Sequence, residues 1–150
     1  MEVAVSKVGI IGAGMMGAEI ALCFVMSGYE VAMKDKTLEL AQKGKDRLEG
    51  VLDKAIQKGR FQTKDKDPTL SRITPTDQYG SFKDVDLAVE AVFEDLETKK
   101  EVFAQLDSLC KPDCIFATNT SSMPITLLAI SVKRERILEI DTILHPYFAN

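Results

Sequence analysis

Lys7-Val8-Gly9-Ile10-Ile11-Gly12-Ala13-Gly14-Met15-Met16-Gly17 is the stretch whose reading decides the fold. Val8, Ile10 and Ile11 form a short apolar run of strand type. Gly12, Gly14 and Gly17 follow in the spacing G-x-G-x-x-G, and a helical pattern continues from Ala18 to Ser27. Strand, glycine turn and helix are the context in which this motif holds the pyrophosphate of a dinucleotide. Gly12 permits a tight turn. Gly14 lets the backbone approach the phosphates, where a Cβ would intrude. Gly17 lets the helix pack close to the strand. The helix then aims its N-terminal N–H groups and positive dipole end at the anion. Met15 and Met16, between the last two glycines, join these three as candidate cofactor contacts.

Taken alone, G-x-G-x-x-G fits an ordinary glycine turn about as well. Its surroundings favour the dinucleotide. The motif lies near the N-terminus, where the first βα unit of such a fold belongs. A second strand, Tyr29 to Met33, follows the helix and leads to Asp35, eighteen positions after Gly17. That is close to the offset of about 20 residues for the carboxylate that accepts hydrogen bonds from an adenine ribose. A carboxylate there repels the 2′-phosphate of NADP, so the cofactor expected is NAD. Lys34 and Lys36 flank Asp35 and soften that discrimination. A solvated turn or a helix cap would also use an aspartate here.

Bulk properties set the class. A chain of 150 residues, 45% hydrophobic and 28% charged, has the size of about one domain and can bury a real core. The net charge of −4, without a long basic run, speaks against a nucleic-acid partner. No apolar stretch approaches the ~20 residues of a membrane span, and no signal-peptide pattern opens the chain. Cys23, Cys110 and Cys114 are odd in number and lack metal-ligand spacing, so we expect reduced thiols, no metal and a cytoplasmic location.

Further along, strand and helix patterns alternate, which predicts an α/β, Rossmann-type, doubly wound and mostly parallel sheet. A second helix should start at the N-cap Thr37 and bury Leu38, Ala41, Leu48, Leu52, Ala55 and Ile56. Residues 59–68 read as a polar loop. Short strands are expected near Ile73, over Val85 to Val92, at Ile115-Phe116-Ala117-Thr118 and over Arg136 to Ile140. Leu96, Lys100, Phe103, Leu106 and Cys110 mark the inner face of a helix, with Lys99, Glu101, Gln105 and Asp107 outward. Cys110 and Cys114 fall at its end and in the next loop.

Three segments together resemble the NAD-binding domain of the 3-hydroxyacyl-CoA dehydrogenases. They are Gly12-Ala13-Gly14-Met15-Met16-Gly17, then Asp86-Leu87-Ala88-Val89-Glu90-Ala91-Val92-Phe93-Glu94-Asp95-Leu96 with Lys99, then Ala117-Thr118-Asn119-Thr120-Ser121-Ser122. The last two are far more specific than the glycine loop. The resemblance covers both 3-hydroxybutyryl-CoA dehydrogenases and the multifunctional fatty-acid oxidation α subunit. It implies oxidation of the 3-hydroxyl of an acyl-CoA, with hydride passing to NAD⁺. It also implies residue roles. Glu94 and Lys99 look like the pair near the nicotinamide ribose and carboxamide, and Asn119 like a residue of the cofactor site. Ser121 is similar to the serine that hydrogen-bonds the substrate oxygen, though it also suits a helix entry. Lys58 resembles a lysine near the CoA phosphates, or is one more solvated helix lysine.

The pattern then breaks. The family continues with glycine and a catalytic histidine, which a later glutamate orients. Here Glu139 stands in the glycine's place and Asp141 in the histidine's. His145, the only histidine, comes four residues late. We therefore expect a single NAD-binding domain over 1–150, with a divergent tail over 137–150 and without the C-terminal helical domain, as in a truncated gene product. Such a chain would be weakly active or inactive alone. The alternative is a non-catalytic NAD(H)-binding module that serves a partner chain. Apolar surface left uncovered would favour a homo-oligomer, a dimer in the simplest case.

Overall fold

The structure is a computed structural model that describes residues 5–92, 95–119 and 137–139. Its elements run β1 (Lys7–Ile11), α1 (Met15–Met26), β2 (Glu30–Lys34), α2 (Leu38–Gln57), α3 (Thr63–Ser71), β3 (Ile73–Thr76), β4 (Leu87–Glu90), α4 (Leu96–Leu109), β5 (Ile115–Thr118) and β6 (Ile137–Glu139). A 3-10 turn, Tyr79–Phe82, precedes β4. The strands form one sheet in the order β3-β2-β1-β4-β5-β6. Every pairing is parallel. This is the doubly wound dinucleotide-binding order, in which the chain reverses direction across the sheet between β1 and β4.

Alternation along the strands builds two cores. Val8, Ile10, Val31, Met33, Val89 and Ala117 face α1 and α2, joined by Ile20, Val25, Leu48 and Leu52. Ile11, Ala88 and Phe116 face the other way, against Val102, Phe103 and Leu106 of α4 and Phe82 of the 3-10 turn. A strand covered on both faces must be apolar at nearly every position, as these are. Thr37 caps α2 as expected, its hydroxyl accepting from the Leu40 N–H at 3.2 Å. Asp95 does the same for α4, accepting from Thr98 N–H at 3.3 Å. Pro75 is tolerated within β3 because that strand is an edge of the sheet.

Three expectations need correction. Residues 59–68 are not all loop, because α3 begins at Thr63. Its polarity concealed it: only Thr69 and Leu70 are buried, and Lys66 ties it to α2 through Glu49 at 3.1 Å and Asp53 at 2.7 Å. Pro68 removes just one intrahelical hydrogen bond, a cost this short helix bears. The second correction is Lys99, which is not outward but fully buried. It stands three residues after Leu96 and four before Phe103, on the inner stripe of α4, so helical geometry carries it inward. Leu38, expected inside α2, is instead half exposed at the helix start. All three cysteines are free thiols. Among the described residues no helix is long and apolar enough to cross a membrane, and no group of acidic, histidine or cysteine side chains could hold a metal.

Candidate dinucleotide site

The glycine loop leaves β1 at the switch point of the sheet. Gly12 takes φ +104°, a conformation side chains rarely adopt, and donates its N–H to the Lys34 carbonyl at 2.8 Å. A Cβ on Gly17 would stand 1.8 Å from the Gly12 carbonyl oxygen, so only glycine lets α1 start this close to the turn. Gly14 differs from both. Its φ of −67° suits any residue, and nothing lies within 4 Å of where its Cβ would project. What a side chain there would fill is open space at the mouth of α1.

That helix start is left uncompensated. Gly14 is its N-cap, no side chain caps it, and its first turn holds no acidic residue. The first N–H groups of a helix have no intrahelical partner and carry the positive end of its dipole. A water-filled start could satisfy them, but so does a phosphate, and the space beside Gly14 admits one. Asp35 closes the other side. Its Oδ2 accepts from the Ala13 N–H at 2.9 Å and its Oδ1 from the Lys36 N–H at 2.7 Å. A carboxylate has about four acceptor positions, so both oxygens keep capacity for ribose hydroxyls.

These groups line one cavity of about 940 Å³. Gly12, Gly14, Met15, Met16 and Asp35 supply one side. Ala91, Val92, Asp95, Thr98, Glu101 and Val102 supply the other, and Tyr79 and Lys34 also line it. An uncapped helix terminus, a Cβ-free approach and an acceptor pair for a diol fit a dinucleotide.

Beneath this cavity lies a charged group that the sequence reading missed. Glu90 ends β4 and is fully buried. Its Oε2 accepts from Lys99 Nζ at 2.6 Å and from the Val92 N–H at 2.8 Å. Its Oε1 accepts from the Thr118 hydroxyl at 2.7 Å. Lys99 Nζ also reaches the Val92 carbonyl at 3.3 Å. The only signal in the sequence was a carboxylate inside an otherwise apolar strand, Leu87-Ala88-Val89-Glu90. Asn119 follows β5 at the same end of the sheet, half-buried, its N–H donating to the Glu90 carbonyl at 2.9 Å. Lys58 is apart from these residues, exposed at the C-cap of α2. Glu94, Ser121, Asp141 and His145 lie outside the described residues.

Comparison with known proteins agrees with this geometry. The sequence model described as "3-hydroxyacyl-CoA dehydrogenase, NAD binding domain" matches residues 7–147. The chain belongs to this family. Its cofactor is NAD. The 3-hydroxybutyryl-CoA dehydrogenase of Clostridioides difficile is 40% identical over 144 residues, 96% of this chain and 50% of that protein. The fatty acid oxidation complex subunit alpha of Colwellia psychrerythraea is 40% identical over 131 residues, 87% of this chain and 18% of that protein. Among solved structures, (S)-3-hydroxybutyryl-CoA dehydrogenase of Ralstonia eutropha superposes with a TM-score of 0.88 at 34% identity, covering 91% of this chain and 48% of that one. The chain thus spans half the length or less of these relatives. Within the family, the Rossmann-type fold and the oxidoreductase ancestry of this chain are plain.

Proposed function

We propose that this chain is the cofactor-binding half of a dehydrogenase acting on 3-hydroxyacyl-CoA thioesters, weakly active or inactive by itself. The observation that carries the reading is the uncapped start of α1 beside Gly14, which lines one cavity together with the Asp35 carboxylate. NAD, when bound, supplies the hydride acceptor at its nicotinamide. The chain's own residues divide the remaining work. Gly12, Gly14, Gly17 and the first-turn N–H groups of Met15 and Met16 hold the pyrophosphate. Asp35 holds the adenine ribose. Glu94 and Asn119 serve the nicotinamide end, and Lys99, fully buried on Glu90, acts through that carboxylate rather than by touching the cofactor. Ser121 is assigned to the substrate oxygen and Lys58 to the CoA phosphates.

The proton is where the chain falls short. An imidazole suits proton removal from a hydroxyl near neutral pH. Asp141 at that position is a far weaker base, which supports low turnover by the chain alone. Acetoacetyl-CoA and NADH mixed with the protein should therefore show little loss of NADH absorbance, while NADH itself binds. Brisk turnover that disappears in His145→Ala would overturn the reading of the tail.

A non-catalytic NAD(H) module serving a partner chain is the second reading, favoured by the same Asp141. It separates from the first if adding a histidine-bearing dehydrogenase fragment leaves turnover at zero. We further propose a cytoplasmic protein that self-associates as a dimer, because Leu38, Leu40 and Val51 expose apolar surface on α2. Sedimentation as a clean monomer would reject that assembly.

A further inference from the structure

A basic side chain beside the ribose carboxylate is the usual means of accepting the 2′-phosphate of NADP. Two lysines flank Asp35 here, yet Lys34 is already engaged. Its Nζ stands 4.3 Å from the centroid of the Tyr79 ring and donates to the Asp35 carbonyl at 3.3 Å. The residue is only 9% exposed, so its cation sits where water competes weakly for it. Tyr79 comes from the 3-10 turn that follows β3, an element remote in sequence from the glycine loop. Both residues line the cavity with Asp35. The remaining charged residues of the cavity lining are Lys36, which is exposed, and Asp95 and Glu101, whose carboxylates repel a phosphate.

We infer that Tyr79 sets cofactor specificity: by holding the Lys34 ammonium over its ring, it withholds that cation from the ribose 2′ position and favours NAD over NADP. The inference rests on the NAD reading of the cavity and adds a residue to it. Tyr79 acts through Lys34, as a positioning residue. Asp35 alone would repel a 2′-phosphate, but a free lysine one residue away would offset much of that repulsion. The ring removes the offset.

The test is fluorescence titration of NADH and of NADPH with the unaltered chain, Tyr79→Phe, Tyr79→Leu and the double variant Tyr79→Leu/Lys34→Met. Tyr79→Phe keeps the ring and should keep the ratio of the two affinities. Tyr79→Leu should raise NADPH affinity relative to NADH roughly fivefold, the scale of one partly exposed ion pair. Removing Lys34 as well should abolish that gain. An unchanged ratio in Tyr79→Leu, or a gain that survives loss of Lys34, overturns the inference. If Tyr79→Leu does not fold, Lys34→Met alone decides. NADPH binding no weaker relative to NADH supports a withheld cation, and a selective loss of NADPH binding shows that Lys34 already reaches the phosphate. Failure of the unaltered chain to bind either cofactor would instead sink the NAD reading, whereas NADH binding with an unmoved ratio sinks only the role of Tyr79.

Discussion

Gly14 and Gly17 are three positions apart in one motif, and the structure gives them different tasks. Gly17 is required by the fold, since its Cβ would overlap the Gly12 carbonyl oxygen at 1.8 Å. Backbone cannot retreat as a flexible side chain can. We expect Gly17→Ala to lower stability by at least ~2 kcal/mol, a fall in Tm of roughly 5 °C or more for a chain of this size. Gly14 is required by the ligand. Alanine there is a poorer N-cap but loses less chain entropy on folding, so stability should change by less than ~0.5 kcal/mol. NADH binding should nevertheless weaken at least roughly tenfold, because the methyl enters the space the pyrophosphate needs. Thermal melts with NADH titrations separate the two. Equal losses of stability would show that the glycines share one role. The spacing alone named all three glycines and Asp35, because they stand at fixed offsets in the first βα unit of a dinucleotide-binding fold. It could not rank them, since the clash at Gly17 depends on how tightly α1 folds back over the turn.

At the scale of elements, the burial of Lys99 joins α4 to β4 and β5. Glu90 receives three hydrogen bonds, from Lys99, Val92 and Thr118, so two strands and a helix meet on one carboxylate at the carboxyl end of the sheet. A buried pair of this kind contributes little against an apolar replacement of both partners, but breaking one side leaves a buried charge. Lys99→Met should cost about 3–5 kcal/mol in urea denaturation. Glu90→Gln combined with Lys99→Met should recover a large part of that loss. Failure of the double variant to recover would mean that Lys99 matters through contacts other than Glu90. Element boundaries were readable where caps and apolar runs coincide, as at Thr37 and over Ile115–Thr118. They were not readable at α3, whose hold on the molecule comes from ion pairs to α2 and from Leu70. Neither leaves a periodic apolar signal. Lys99 was misplaced for a related reason, because a lysine on a helix reads as solvated unless its buried partner, here on another strand, is known.

For the whole molecule, the two edges of the sheet carry different charge chemistry. The carboxyl edge holds the cofactor cavity. The amino edge is fastened by Asp86, buried where β4 begins. Its Oδ2 accepts from the Ser6 N–H at 2.9 Å, the Ser6 hydroxyl at 3.1 Å and the Lys7 N–H at 3.0 Å, and its Oδ1 pairs with Lys111 from the loop before β5. Burial pushes the Asp86 carboxyl up, but Lys111 and the Ser6 and Lys7 donors outweigh it and hold the group far below the usual carboxylate range. The parallel order of the strands was legible from the βα alternation. This anchor was not, because Ser6, Asp86 and Lys111 are distant in sequence and only the closed sheet brings them together. A carboxyl whose folded pKa lies below its unfolded value of ~3.9 stabilises fully above that pH, and the gain is lost as pH falls through the folded pKa. Asp84, lowered by its Lys7 partner, acts in the same direction. Melting temperature should thus hold steady from neutral pH to about pH 5 and fall steeply below about pH 4. Asp86→Asn removes the negative charge that Lys111 and the backbone donors converge on, so it should lower Tm at pH 7 and flatten the acid limb. Melts of both proteins from pH 7 to about pH 2 decide it, because such a carboxyl surrenders its contribution only below about pH 4. An acid limb equally steep in the variant would place the acid sensitivity elsewhere than at this amino-edge anchor.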